Sequence, residues 1–378
     1  MKAGRRQIAL IASRGLGAFL VALACLGCAP EEPVRIGFLG GISGRWADLG
    51  NLGRDGVQLA VEQRNLNGGV RGRPVELLIR DDRQEPESAR AAMNELIAHG
   101  SVAIVGPMTS SMTAEVKPIA ERAGVPMVAP TVTSETFSGR DDLFFRVTPS
   151  TRAFASLSAR FLHGKTGLRR VAAAYLLNNE IYTKDWLDRF QEAFEAEGGQ
   201  VVTAIPFLSD GATTYQDIAR RLLSARPDGI LIVANSTDSA LLCHRIRTLD
   251  ARIPLSLSDW GGTERLVELG GKAVEGVTAV QTFNRESRSP RYLAFQRAFQ
   301  ARFQRNPGAA GMYAYEAANV VLDALEHRQN GQQLKQVLLH MGRVEGLQTA
   351  FQFGAFGDVK RDMATMNVVR NGEFHVIK

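Results

Sequence analysis

Two short loops hold the side chains best suited to chemistry, Gly106-Pro107-Met108-Thr109-Ser110-Ser111 and Pro130-Thr131-Val132-Thr133-Ser134. Each follows an apolar run, and the first leads into a helical pattern. Hydroxyls and free N–H groups at a helix start favour an anion, by direct hydrogen bonds and by the positive end of the helix dipole. Alone, Ser110 or Ser111 need be no more than a helix cap. Two such loops on neighbouring strands argue for a carboxylate site.

Other chemistries lack their constellation. Gly164-Lys165-Thr166 looks like the tail of a phosphate loop, but Ala159 stands where the leading glycine belongs. The segment also ends a helix rather than opening one. Gly37, Gly40, Gly41 and Gly44 miss the dinucleotide spacing, and Gly41-Ile42-Ser43-Gly44 misses that of a nucleophile elbow. The six histidines (His99, His163, His244, His327, His340 and His375) form no pair at metal-ligand spacing. Asp81-Asp82 reads as a solvated strand end. The expectation is a protein with no catalytic residues, no metal and no cofactor.

The elements that must position these loops alternate. Strand-like runs fall at 34–39, 75–79, 102–105 and 125–128, separated by helical patterns at 54–65, 88–99 and 112–122. Ser88 is the expected cap of the second helix. The alternation restarts after Pro149, with strands at 171–175, 201–205, 229–233 and 255–258. Helices are expected there at 152–163, 184–197, 215–225, 236–249 and 264–269. This spacing argues right-handed parallel βαβ units, hence an α/β protein of two doubly wound, Rossmann-like lobes. Open parallel sheets bind ligands at the carboxyl ends of their strands, where both hydroxyl-rich loops lie.

The N-terminus reads as an export signal. Lys2, Arg5, Arg6 and Arg14 precede an apolar run of about a dozen residues, too short for the ~20 a bilayer span needs. It ends in Leu26-Gly27-Cys28, which suggests residues 1–27 as a lipoprotein signal peptide and Cys28 as the lipidated N-terminus. A cut before Cys25 is the alternative. Arg5-Arg6 fits twin-arginine export poorly, given Gln7-Ile8-Ala9. The leader holds four of the basic residues and no acid, so the net charge falls from +6 to +2 in the mature part. That excess gives little reason to expect nucleic-acid binding. Cys243 is the one thiol outside the leader region, so no intrachain disulfide follows, and it reads as a small buried helix residue.

Taken in order, several segments resemble a known family. They are Ile36-Gly37-Phe38-Leu39-Gly40-Gly41-Ile42-Ser43-Gly44, Asn65-Leu66-Asn67-Gly68-Gly69-Val70-Arg71-Gly72, the strand leading to Asp81-Asp82, the two hydroxyl-rich loops, and Tyr313-Ala314-Tyr315-Glu316-Ala317. The chain resembles the type I periplasmic binding proteins that serve branched-chain amino acid ABC transporters, the Leu/Ile/Val-binding group. The resemblance covers nearly the whole mature chain. It implies two lobes joined by a three-strand hinge and closing on an amino acid. The family's carboxylate-binding serine falls on Ser110 and its second hydroxyl on Thr133. The carbonyl that receives the ammonium falls on Thr131, the acidic residue of the second lobe on Asp259, and the cleft tyrosine on Tyr182. Three crossings imply a first lobe of 33–150 with 281–357 and a second of 151–280 with 358–378, with Pro149 and Thr282 near two hinge strands.

The departures from that family concern the side-chain pocket. Its best-known members carry a disulfide; here Thr109 holds one half and no cysteine follows Asp82. Asn235 replaces a second-lobe tyrosine, Leu49 an aromatic, and Trp260 adds bulk beside Asp259. Leu49, Asn235, Trp260 and Tyr315 are therefore the candidates for an altered pocket. The function expected from the resemblance is a lipid-anchored binding component delivering an amino acid or close analogue to a membrane permease and its ATPase. The rivals are a sensor, binding of another small carboxylate or amide, and, from another class, an α/β enzyme such as a hydrolase.

Overall fold

A computed structural model describes residues 32–377, apart from Arg45, residues 212–213, Thr282 and Asp362. The expected signal peptide, with Cys25 and Cys28, and the hinge residue Thr282 lie outside the described residues. The first lobe begins β1 (Val34–Gly40), α1 (Ala47–Leu66), β2 (Val75–Asp81), α2 (Pro86–Ala98), β3 (Ile104–Val105), α3 (Ser110–Ala123), β4 (Met127–Ala129) and β5 (Phe144–Arg146). The second lobe follows as α4 (Thr151–Arg160), β6 (Arg170–Leu176), α5 (Glu180–Ala196), β7 (Gln200–Phe207), α6 (Tyr215–Ser224), β8 (Gly229–Val233), α7 (Ser236–Leu249), β9 (Leu255–Leu257), α8 (Glu264–Gly270) and β10 (Thr278–Gln281). The chain then returns through α9 (Pro290–Phe303), α10 (Gly308–His327), α11 (Leu334–Leu339), β11 (Gln352–Phe353) and β12 (Val359–Lys360), and ends in β13 (Thr365–Arg370) and β14 (Glu373–Val376).

Among the described residues the larger sheets run β2-β1-β3-β4-β5 and β14-β13-β10-β9-β8-β6-β7. The first is parallel throughout. Its strands β1, β3, β4 and β5 are buried on both faces, as parallel strands under helices must be, while the edge strand β2 is partly exposed. In β1, Ile36 and Phe38 pack toward α1 and α10 while Leu39 joins Met93 and Met112 on the other face. In β8, Ile230 and Ile232 face one core and Leu231 and Val233 the other. The two-residue period of a strand thus supplies both helix layers from one apolar run. The second sheet is mixed: β13 and β14 run antiparallel, joined at Asn371-Gly372, whose φ values of 53° and 75° suit a two-residue hairpin.

Several expectations need correction. The second helix starts at Pro86, with Glu85 extended at its cap, because proline's fixed φ suits the first helical position. Ser88 lies inside it. Asp81-Asp82 is not a solvated strand end. Asp81 accepts from the N–H groups of Ile42 and Arg83, and Asp82, which accepts from Gln84 N–H, is buried. Near the last expected crossing, β12 pairs with β11 and Val359 packs on the first core, while β13 joins the second sheet.

The tightest helix contact positions α1, whose first turn reaches the cleft. A Cβ built on Gly56 would sit 2.3 Å from the Gly311 carbonyl oxygen of α10. Gly56→Ala is therefore expected to lower stability by about 1–3 kcal/mol through overpacking. A denaturation midpoint unchanged from the parent protein would show that the two helices separate freely.

Candidate functional site

The cavity between the lobes lies at the carboxyl ends of the strands, where the order reverses around β1/β3 and β6/β8. Its wall includes Thr109, Ser110, Thr131, Thr133, Tyr182, Asp259, Trp260 and Leu49. It measures about 80 Å³. At roughly 10–15 Å³ per water that is room for about five to eight waters, the bulk of a small metabolite.

The first-lobe wall is built by the two hydroxyl-rich loops. Gly106, with φ 118°, brings the first loop against β1, and a Cβ there would stand 2.2 Å from the Leu39 carbonyl oxygen. Thr109 is extended at the cap position of α3 and makes no side-chain cap, so Ser110 is the helix's first residue rather than its cap. Thr131 Oγ1 donates to the Met108 carbonyl at 2.6 Å and ties the loops together. Buried Arg146 grips the second loop, donating to the carbonyls of Thr133 and Ser134 at 3.1 and 3.0 Å. Thr133 Oγ1 is buried and has no hydrogen-bond partner. A buried hydroxyl without a partner is costly, and Thr133 lines the same cavity as Ser110, at a helix N-terminus that favours negative charge.

The second-lobe wall is acidic. Tyr182 O–H and Trp186 Nε1–H donate to the same oxygen, Oδ1 of Asp259, at 2.7 and 3.0 Å. Trp186 follows Tyr182 by one helical turn on α5, which starts at Glu180, earlier than expected. That spacing is the signal that could have revealed Trp186. Trp260 meets the Tyr182 ring edge-on, with centroids 5.7 Å apart. Burial pushes the Asp259 carboxyl up from 3.8 to about 6, against the lowering pull of its hydrogen bonds. Burial and the Asp259 charge raise the Tyr182 phenol well above its ordinary value, so it remains a donor.

Asn235 and Tyr315 are not brought to the cavity. Asn235 caps α7: its Oδ1 accepts from Asp238 N–H at 2.9 Å, and it is buried there. Tyr315 donates to Gln63 Oε1 at 2.6 Å on another surface. Tyr313 lines the cavity instead, because residues two apart on a helix point to opposite sides. Residues not anticipated from sequence also line it, including Asp48, Asn179, Glu264, Gln281 and Arg285. The lobes meet where Ser236 donates to Asp48 at 3.2 Å and Ser111 N–H to Asn179 Oδ1 at 3.0 Å. Glu135 N–H also donates to Asp185 Oδ2 at 2.9 Å. Among the described residues no group of three or more His, Cys, Asp or Glu is placed to hold a metal ion.

A hydroxyl and helix-start wall facing a carboxylate wall suits a small dipolar molecule, with its negative end toward Thr133 and its positive end toward Asp259. A family model described as periplasmic binding protein matches residues 33–373. The leucine-, isoleucine-, valine-, threonine- and alanine-binding protein of Pseudomonas aeruginosa is 25% identical over 301 residues, 78% of either chain. The Leu/Ile/Val-binding protein of Escherichia coli K12 is 22% identical over 275 residues, 72% of this chain and 74% of that one. In fold, the chain is similar to the substrate-binding protein LivJ of Streptococcus pneumoniae in complex with isoleucine, with TM-score 0.83 and 24% identity over 92% of this chain and 99% of that one. It is also similar to a solute-binding protein of R. palustris in complex with benzoate, with TM-score 0.82 and 17% identity over 92% and 96%.

Proposed function

Because the chain belongs to the periplasmic binding protein family, whose model spans residues 33–373, we propose that it is the substrate-binding component of an ABC importer and takes an α-amino acid or close analogue. It carries out no chemistry; it hands its ligand to a membrane permease driven by an ATPase. Lipidation at Cys28, or at Cys25, would anchor it to a membrane, in the periplasm or at the cell surface. The first lobe corresponds to 33–150 with the return segment after Thr282, and the second to the segment between, with the C-terminal strands.

The observation that carries this reading is the pairing of opposite walls in one interlobe cavity. Ser110, Thr133 and the start of α3 receive the carboxylate. The Thr131 carbonyl and Asp259 receive the ammonium, with Tyr182 and Trp186 holding Asp259 Oδ1 and leaving Oδ2 for the ligand. One zwitterion thereby touches both lobes, so its binding favours their closed arrangement. A carboxylate without an ammonium, as in the benzoate complex of the similar protein, would leave Asp259 unpaired in a buried site, at a cost of several kcal/mol.

The Asp259 carboxyl titrates at about 6 in the free protein, and this makes the reading testable. An ammonium favours the ionised carboxylate, so binding displaces the proton. Affinity for an amino acid is constant above about pH 6 and falls as pH drops below it, by at most tenfold per unit for one proton. In the free protein the sign is opposite. The raised carboxyl disfavours folding as pH rises between 3.8 and about 6, because the unfolded chain releases the proton first. Titration calorimetry from pH 7.5 to 5 measures the affinity slope. Asp259→Asn serves as control, since buried Asp82 also titrates at about 6. A slope that persists in that variant, or an amino acid panel without a binder, would reject the proposal.

A further inference from the structure

Next to Asp259 the cavity wall carries a second polar cluster that recognition of a carboxylate and an ammonium leaves unused. Gln281, the last residue of β10, is 2% exposed. Its Nε2 donates to the Gly262 carbonyl at 3.0 Å, whereas its Oε1 is buried with no partner. A carbonyl cannot donate, so Gly262 decides which end of the amide is engaged and which is left over. Arg285 Nη2 donates to the same carbonyl at 3.1 Å, and its Nε donates to Glu264 Oε1 at 2.8 Å. Its Nη1 is buried and unpartnered. The rings of Phe283 and Phe374 lie 4.5 and 4.6 Å from the guanidinium carbon and hold its plane. Thr263 Oγ1 is likewise buried without a partner. Gln281, Thr263 and Arg285 all line the cavity.

These atoms specify a complement. An acceptor, a donor and a hydroxyl able to do either, all buried, are costly until a ligand group pairs with them. An aliphatic side chain pairs with none. A second carboxylate would suit Arg285 but would meet Gln281 Oε1 and the acids Asp48, Glu264 and Asp259, which line the same cavity. A cationic side chain would leave Arg285 Nη1 unpaired and bring like charge toward it. An uncharged group that both donates and accepts satisfies the whole cluster.

We propose that the ligand is an amino acid whose side chain ends in an uncharged hydrogen-bonding group, foremost a carboxamide. Its N–H donates to Gln281 Oε1 and its carbonyl accepts from Arg285 Nη1. This assignment rests on the α-amino acid reading of the cleft. The apolar wall of Leu49, Leu52, Met108 and Phe283 leaves room for the methylenes between the two ends.

The test is calorimetry of the purified protein with glutamine, asparagine, glutamate, leucine and methionine. Glutamine or asparagine is expected to bind about a hundredfold or more tighter than leucine, and tighter than glutamate. In Gln281→Met, which keeps the length and removes the acceptor, that preference shrinks to near parity. Leucine or glutamate binding as tightly as the amides in the unmodified protein overturns the inference and leaves the amino acid reading intact. So does a preference that Gln281→Met leaves unchanged. If no amino acid binds, or binding ignores Asp259→Asn, the amino acid reading fails and this inference falls with it. The ratio in the unmodified protein decides the matter even if the variant does not fold.

Discussion

In the Asp259→Ala variant, amino acid affinity is expected to fall by about 2–5 kcal/mol, roughly thirty- to several-thousand-fold. The loss has two parts. The ligand ammonium is desolvated in the cleft without its counter-charge. In addition, Tyr182 O–H and Trp186 Nε1–H, which both point at Asp259 Oδ1, lose their acceptor. Asp259→Asn separates the two, because its amide oxygen still accepts those hydrogen bonds while the charge is gone. Both variants are expected to bind weakly, and Asn to retain more of the native stability. Calorimetry on the two variants measures this. Affinity within threefold of the parent in either one would place the ammonium elsewhere.

Glu316→Ala is expected to cost about 3–5 kcal/mol of folding stability, the usual effect of removing one partner of a buried ion pair. The Arg361 side chain is fully buried and that of Glu316 is 4% exposed. Arg361 donates with two nitrogens to the two oxygens of Glu316, and its Nη1 also reaches the Val147 carbonyl at 3.3 Å. Tyr313 and Phe351 flank the guanidinium. One side chain thus joins α10, the strand leaving the first lobe and the returning passage beside β12. Without Glu316 the guanidinium keeps only carbonyl and hydroxyl acceptors in a dry site. Replacing both partners, as Glu316→Leu with Arg361→Met, is expected to recover much of the loss, since no unpaired charge remains. Urea denaturation tests both. A single variant within 1 kcal/mol of the parent would mean that water reaches the site.

The pair also shows where sequence reading loses its hold. Glu316 lies inside the quoted segment Tyr313-Ala314-Tyr315-Glu316-Ala317, yet its partner is 45 residues away at Arg361. Nothing local to either residue announces the contact. The same limit separates Tyr315 from Tyr313. Both are aromatic and near each other in sequence, but only the rotation of α10 against α1 decides which one faces the cleft. The place of Asn235 after β8 suggests the pocket; the cap that α7 requires claims its side chain instead.

The order of strands and helices, the two-lobe α/β architecture and the hydroxyl-rich loops after β3 and β4 were already present in the chain itself. They rest on short-range patterns: apolar runs that bury two faces, helical spacing, and glycine where the backbone must turn tightly. The lining by Ser110, Thr133, Tyr182 and Asp259 followed from position at strand ends and from family resemblance. Tertiary structure alone decided that Trp186 steadies Asp259, and that Gln281, Thr263 and Arg285 stand together with unpaired atoms. Whether a polar atom has a partner depends on neighbours from distant segments and on how the two lobes meet, and no local pattern of residues encodes that.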